Sequence, residues 1–231
     1  MKSLVVWLYL CYNRCVMFDV IFNKILSFKS ISIQNSKPNL LRDFIYSQLS
    51  LLFFLFVCFL ITPTVILTNE GVSAFGVSIK TIVPYAIGYF LCSYFIGRSV
   101  KYMEHKKEPY KSIFYAMNSI AILFIALIFT PYAINTSFNW IHTIISTILF
   151  LLELGLIVYL TAITKPRFIN ILLIIGQVLS GIIAMFSVNP NSVTPGGLNL
   201  LLQGEILFQL FFVLGIILIL LRYKIPYIIE L

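Results

Sequence analysis

The chain of 231 residues is 60% hydrophobic and only 10% charged, whereas a soluble domain has about 25% charged residues. This composition excludes an ordinary water-soluble domain and is typical of a membrane protein. The formal net charge of +8 would suit nucleic acid, but in so apolar a chain basic residues mark the cytoplasmic side of a membrane, and we expect no nucleic-acid partner.

Residues 1–44 are predicted to be a cytoplasmic or interfacial segment without a membrane span of its own. The apolar stretch SLVVWLYLC is too short to cross a bilayer, and Asn13 and Arg14 interrupt the sequence that follows it. No cleavage site of small residues indicates a signal peptide. We therefore predict an interfacial or loosely ordered segment, with a seventh span as the alternative.

Six apolar runs are long enough to cross a bilayer, which takes about 20 helical residues. They predict an all-α, polytopic bundle of six transmembrane helices over residues 45–222, followed by a short tail over residues 223–231. The predicted spans are Ile45–Ile66, Thr81–Ile96, Ser112–Thr130, Ile141–Thr161, Phe168–Phe186 and Leu200–Leu221.

Lysine and arginine are distributed unequally between the two sides of these spans. Of the 16 basic residues, all except Lys80 precede the first span, lie between spans two and three or four and five, or follow the last span. The positive-inside rule therefore places both termini in the cytoplasm of a multi-pass protein of the cell membrane. The loops 67–80, 131–140 and 187–199 are then predicted to face outwards.

Glu153 is the clearest polar residue at membrane depth and lies in the fourth span. A charged side chain is costly there and is a functional candidate by default. His142, Ser146 and Glu153 are spaced by four and seven residues, which puts them on one face of a helix that should look into the bundle. Asn118 and Gln177 lie at a similar depth and are predicted hydrogen-bond partners of Glu153, either in a structural network or in a proton or ion relay.

A second set of polar residues collects at the predicted outer surface. Glu205, His142 and Tyr85 lie near the starts of spans six, four and two, while Glu70 and Ser73 come from the loop between spans one and two. A cleft between helices at this surface is the predicted ligand site. The spacing of these residues follows no metal-binding motif, so we expect no metal and no cofactor.

The first outer loop, TNEGVSAFGVSIK, is longer and more apolar than a simple tether requires. Its Gly71 and Gly76 allow a positive φ or a close approach of the backbone to its neighbours. We predict that Glu70–Gly76 folds back onto the bundle. It would be either a lid over an outward-facing pocket formed with His142 and Glu205, or a cap that seals the ends of the helices.

Three short stretches carry a pattern beyond hydropathy: EGVSAFGVSIKTIVPYAIGY, IHTIISTILFLLELGL and GEILFQLFF. They resemble the first loop, the fourth span and the start of the sixth span of six-helix prokaryotic membrane proteins of unknown function, related to the Frag/DRAM/Sfk group. The resemblance covers roughly residues 43–222 and departs from the family at Ile206, where an Arg is usual. It implies a six-helix fold but no established chemistry. It implies these site positions: Glu70, Ser73, Gly76, His142 and Glu205.

Three classes of function are compatible with these features. The sequence contains no nucleotide-binding, serine-hydrolase or zinc-protease motif. The first class is a non-enzymatic membrane protein that contacts membrane lipids and binds a lipid head group or small ligand at its outer face. The alternative is a small-solute or proton-coupled transporter that uses Glu153. The third is an intramembrane enzyme that uses His142, Glu70 and Glu205.

Overall fold

The computed structural model describes residues 39–66, 71–103, 109–131, 136–164, 167–188 and 200–223. Within these ranges every regular element is an α-helix or a 3₁₀ turn, and the all-α prediction is confirmed for this part of the chain. The predicted N-terminal segment up to residue 38, the side chain of Glu70 and the tail from residue 224 lie outside the described residues.

Six α-helices are described: α1 Leu40–Ile61, α2 Ile82–Val100, α3 Tyr110–Phe129, α4 Thr136–Ile163, α5 Phe168–Val188 and α6 Leu201–Tyr223. The short 3₁₀ turns are Pro63–Ile66, Val72–Gly76 and Lys101–Met103. Five of the helices, all except α2, are long and apolar enough to cross a membrane. Tyrosines, serines and Arg98 dilute the apolar residues of α2. The described part of the chain is therefore that of a multi-pass membrane protein, and the six-span count stays a prediction.

Helix α1 begins at Leu40, inside the segment that was predicted to precede the first span. Asn39 caps it, because its side chain accepts a hydrogen bond from the Arg42 amide at 3.0 Å and its own amide donates to Asp43 at 3.3 Å. The carboxylate of Asp43 is buried and pairs with Arg42 at 3.0 Å and with Arg98 of α2 at 3.1 Å. The helix therefore extends beyond the predicted span, which starts at Ile45, because charges that are neutralised in pairs can continue a helix past its apolar run.

Five helices pack in a closed ring, in the order α1, α2, α3, α4 and α6, with α6 returning to α1. Helix α5 lies outside this ring, against α6 and to a smaller extent α4. The backbones of α5 and α6 approach closely at Gly204, where an added Cβ would lie 2.7 Å from the Ala184 nitrogen and 2.9 Å from the Ser180 oxygen. Small residues at such a crossing are a usual means of helix packing in membranes.

The two ends of the ring differ in charge. Consecutive helices are neighbours and alternate in direction, so the starts of α1, α3 and α5 share one end with the finishes of α2, α4 and α6. We call this the basic end, and its described basic residues are Arg42, Arg98, Lys101, Lys111, Arg167 and Arg222. The opposite end carries the Val72–Gly76 turn and the first residues of α4 and α6. The positive-inside rule predicts that the basic end faces the cytoplasm.

Candidate functional site

A cavity of about 80 Å³ lies inside the ring, towards the end opposite the basic end. All five ring helices and the Val72–Gly76 turn contribute to its wall, whereas α5 contributes no residue. Most of the wall is formed by leucine, valine, isoleucine and phenylalanine side chains. Its polar side chains include Ser73, Tyr85, His142, Glu153, Glu205 and Gln209. A cavity of this size has room for several water molecules or a small organic group.

The described members of the predicted outer site lie around this one cavity. Its wall includes Ser73, Tyr85, His142 and Glu205. Gly76 lies behind the wall, where an added Cβ would be 2.8 Å from the ring of Tyr85, so the absence of a side chain lets the turn rest on that ring. Glu70, the remaining member of the set, lies outside the described residues.

Glu205 ties the Val72–Gly76 turn to α6. Its Oε2 accepts a hydrogen bond of 2.6 Å from the amide of Val72, at the start of the turn, where amides have no partner within a helix. A Cβ on Gly71 would lie 2.5 Å from the same oxygen, so only glycine leaves room for the carboxyl group there. The turn is therefore fastened to α6 over the cavity.

The other end of the turn is held by the bundle as well. The hydroxyl of Thr81 donates a hydrogen bond of 2.8 Å to the carbonyl oxygen of Phe75. The side chains of Val72 and Phe75 are buried in the hydrophobic core, whereas Val77, just beyond the turn, is exposed. The described part of the first loop thus folds back onto the ring and does not extend away from it.

His142 lines the cavity from the first turns of α4. Its Nδ1 lies 2.6 Å from the carbonyl oxygen of Thr130, at the end of α3, and it carries a hydrogen because a carbonyl oxygen only accepts. Ser146 and Glu153 line the cavity from the same helix, which confirms that these three residues share one face of α4. Since a helix rises about 1.5 Å per residue, Glu153 lies roughly 16 Å deeper than His142.

Glu153 has a partner that the sequence analysis did not identify, Gln209 of α6. Glu153 is fully buried, and one terminal atom of the Gln209 amide lies 3.1 Å from its Oε2 and 3.2 Å from its Oε1. The other terminal atom of Gln209 lies 2.9 Å from Oε1 of Gln48 in α1. Gln209 follows Glu205 by one helical turn, and that spacing is the signal that could have pointed to it.

The predicted hydrogen bonds from Glu153 to Asn118 and Gln177 are not formed. Gln177 is buried on α5, outside the ring, and neither atom of its amide has a hydrogen-bond partner in the described structure. Oδ1 of Asn118 is directed towards α2, 4.0 Å from where a Cβ on Gly97 would lie. A similar predicted depth along the membrane does not determine which helices are neighbours.

Comparison with protein families, with curated proteins and with solved structures gives no match for this chain. The resemblance to the six-helix prokaryotic family stays a prediction. Among the residues that the structure describes, no group of three His, Cys, Asp or Glu side chains is placed to hold a metal ion. The function therefore has to be inferred from what the cavity can bind.

Proposed function

We propose that this chain is a multi-pass protein of the cell membrane that binds a small ligand or a lipid head group in the cavity beneath the Val72–Gly76 turn. The observation that carries the proposal is the wall of the cavity, in which five helices combine an apolar surface with a few polar groups from several sides. Binding sites for small molecules have this composition. In a six-span topology with a cytoplasmic basic end, the cavity faces outwards.

The turn acts as a lid over this site. It covers a cavity, whereas a cap that only seals the bundle would cover packed side chains. Two hydrogen bonds fasten it, one from Val72 to Glu205 and one from Thr81 to Phe75. A few hydrogen bonds of about 1 kcal/mol each can open and close on the time scale of ligand exchange.

The polar groups of the cavity suit binding better than catalysis. Glu205 accepts from the amide of Val72, His142 is directed to the carbonyl of Thr130, and Ser146 donates to the carbonyl of His142 at 2.7 Å. These contacts with the main chain position the side chains firmly. They support a non-enzymatic protein, because none of them activates a nucleophile.

Proton-coupled transport is the second candidate function, and the buried carboxyl group of Glu153 favours it. Acidic side chains inside the membrane are common proton carriers. Transporters often build their substrate sites from interrupted helices, whereas α4 is a continuous helix of 28 residues that contains Glu153. Ligand binding is therefore the function that the geometry supports best.

The proposal is tested by filling the cavity from α4. Ser146→Phe introduces a large side chain into the wall and removes only a hydrogen bond within its own helix. Thr147→Phe is the matched control, because Thr147 is the next residue and is exposed on the outer surface of the bundle. Both variants and the unmodified protein are placed in phosphatidylglycerol nanodiscs and titrated with benzyl alcohol.

We expect saturable binding of benzyl alcohol to the unmodified protein and to Thr147→Phe, and its loss in Ser146→Phe. Circular dichroism checks that all three proteins keep the same helical content. Native mass spectrometry of the same samples should show any co-purified lipid or small molecule retained in the control and absent from Ser146→Phe. Equal binding by both variants, or binding no greater than to empty nanodiscs, would contradict the proposal.

A further inference from the structure

We infer that the ligand of the cavity is an organic ammonium ion, and that it binds in exchange for a proton on Glu153. The inference rests on the proposed binding function and names the chemistry of the ligand. Three observations support it: the charges in the wall, the aromatic rings beside them, and the hydrogen-bond chain that leads from Glu153 into the bundle.

The ionisable side chains in the wall include two carboxyl groups and no permanent positive charge. Glu153 and Glu205 line the cavity, and no lysine or arginine is among its described lining residues. The buried arginine contacts lie elsewhere, with Asp43 at the basic end. A bound anion would meet no lysine or arginine in the described wall, whereas a bound cation would have two carboxyl groups within the same cavity. Because unpaired charges in an apolar interior are costly, the wall selects for positive ligands.

Aromatic rings form a continuous surface of the cavity. The rings of Tyr85 and Tyr89 have their centroids 4.4 Å apart, and the ring of Phe124 meets Tyr89 edge to face at 5.5 Å. All three line the cavity. Aromatic faces attract ammonium groups, and quaternary ammonium ligands in particular are recognised in this way. Carboxyl groups and aromatic rings in the wall of one cavity therefore favour binding of an alkylated ammonium ion.

Without a ligand, the hydrogen bonds around Glu153 pair donors with acceptors when Glu153 carries a proton. Its hydroxyl then donates to Oε1 of Gln209, whose Nε2 donates to Gln48 at 2.9 Å. The amide of Gln48 donates to the Ser47 hydroxyl at 3.1 Å, and Ser47 donates to the carbonyl of Phe44 at 2.6 Å. Every donor in this hydrogen-bond network has an acceptor, and protonated Glu153 adds no charge to the interior.

Binding of a cation reverses the donor and acceptor roles along this series of hydrogen bonds. The O–H bond of Glu153 breaks, the proton leaves through the cavity to the solvent, and the carboxylate pairs with the ammonium group without forming a covalent bond. The amide of Gln209 turns over, which places its Nε2 at 3.1 and 3.2 Å from the two carboxylate oxygens. Gln48 turns with it, so that its amide donates to Gln209 across the same 2.9 Å. The charge at Glu153 stays balanced in the exchange, because one proton leaves as one cation binds.

Other titratable groups lie near Glu153, and the experiment has to distinguish a proton released by them from one released by Glu153. The titratable neighbours are Tyr85, Tyr89 and Cys92 on α2, His142 on α4 and Glu205 on α6; α1 and α3 contribute no titratable residue to the described wall. Glu205 and His142 are the alternative sources of a released proton near neutral pH. Variants of both therefore belong in the experiment.

The probe is tetramethylammonium, whose charge is permanent and which is smaller than benzyl alcohol, the neutral probe used for comparison. Calorimetric titration in two buffers of different ionisation enthalpy gives the number of protons released per bound cation. We expect close to one proton at mildly acidic pH, and an affinity that rises as the pH rises, by up to about tenfold per pH unit, because the proton and the cation compete for Glu153. Benzyl alcohol should bind without releasing a proton.

The variant Glu153→Gln keeps a hydrogen-bond donor for Gln209 but has no proton to exchange. We expect it to lose the proton release and to bind tetramethylammonium at least about tenfold more weakly, with unchanged circular dichroism. Glu205→Gln and His142→Gln should still release the proton. The exchange on Glu153 is refuted if either of these two variants removes the release, or if Glu153→Gln retains it.

An ammonium group can come from a free amine or from a choline lipid head group. Replacing the phosphatidylglycerol of the nanodiscs by phosphatidylcholine distinguishes the sources: a head-group ligand would compete and weaken binding of the probe, whereas a free amine would leave it unchanged. If benzyl alcohol binds in the cavity and tetramethylammonium does not, the inference fails while the proposed function stands. If neither probe binds, the proposed function fails.

Discussion

Replacing Gly71 by alanine should release the lid while leaving the backbone of the turn unstrained. The added Cβ would lie 2.5 Å from Oε2 of Glu205 and 2.8 Å from its Cδ, so the carboxyl group has to move away. Gly71 has φ −75° and ψ −164°, a conformation that alanine adopts readily. The effect of Gly71→Ala is therefore steric and is directed at one contact, the hydrogen bond between Glu205 and the amide of Val72.

The size of the effect follows from the strength of that hydrogen bond. A hydrogen bond to a carboxyl group contributes about 1–3 kcal/mol net, which corresponds to a change of roughly 5- to 150-fold in the ratio of closed to open lid. Alanine also restricts the open form of the turn, which favours the closed form by about 0.4–1 kcal/mol and offsets part of the loss. From the middle of the two ranges, about 2 kcal/mol for the hydrogen bond less about 0.7 kcal/mol for the alanine leaves about 1.3 kcal/mol, so we expect a roughly tenfold larger open population.

Hydrogen exchange of the Val72 amide measures the open population directly, because this amide is protected by Glu205 alone among its described contacts. In Gly71→Ala it should exchange faster by that factor, while the amides inside α4 exchange at the unmodified rate. Glu205→Gln, which keeps an acceptor oxygen, should lose less protection than Glu205→Leu. A Val72 amide that stays fully protected in Gly71→Ala and in Glu205→Leu would refute the latch.

Two further predictions concern packing and topology. Gly204→Ala should lower the free energy of unfolding by about 1–3 kcal/mol relative to Gly155→Ala. A Cβ at Gly204 would meet the backbone of α5 at 2.7 Å, whereas one at Gly155 would meet nothing within 4 Å. Equal thermal unfolding of the two variants in nanodiscs would contradict this packing. In a background without native cysteines, Lys80→Cys should react with an impermeant maleimide added outside the cell, and Lys111→Cys should not. The opposite pattern would place the cavity on the cytoplasmic side.

The sequence by itself determined the helical elements, because a chain in lipid has to satisfy its backbone within each apolar segment. The predicted fifth span starts at Phe168, as α5 does, and the predicted sixth span starts one residue before Leu201 of α6. The helix period also determined the polar face of α4. Ends in polar sequence were less predictable, since α4 starts at Thr136 and not at Ile141. Hydropathy reports the part of a helix that is inside the bilayer, and polar residues extend a helix beyond it.

Only the tertiary structure decided which polar residues meet. Depth along the membrane and angle around a helix are both readable from sequence, and they correctly made Glu153 an inward-facing residue in the middle of α4. The identity of the facing helix depends on packing between all the helices. The backbone contact at Gly204 holds α5 on the outside of α6, which leaves Gln177 outside the ring and brings Gln209 to Glu153. Such a contact is the sum of many weak van der Waals terms across two whole helix surfaces, and no local pattern in the sequence encodes that sum.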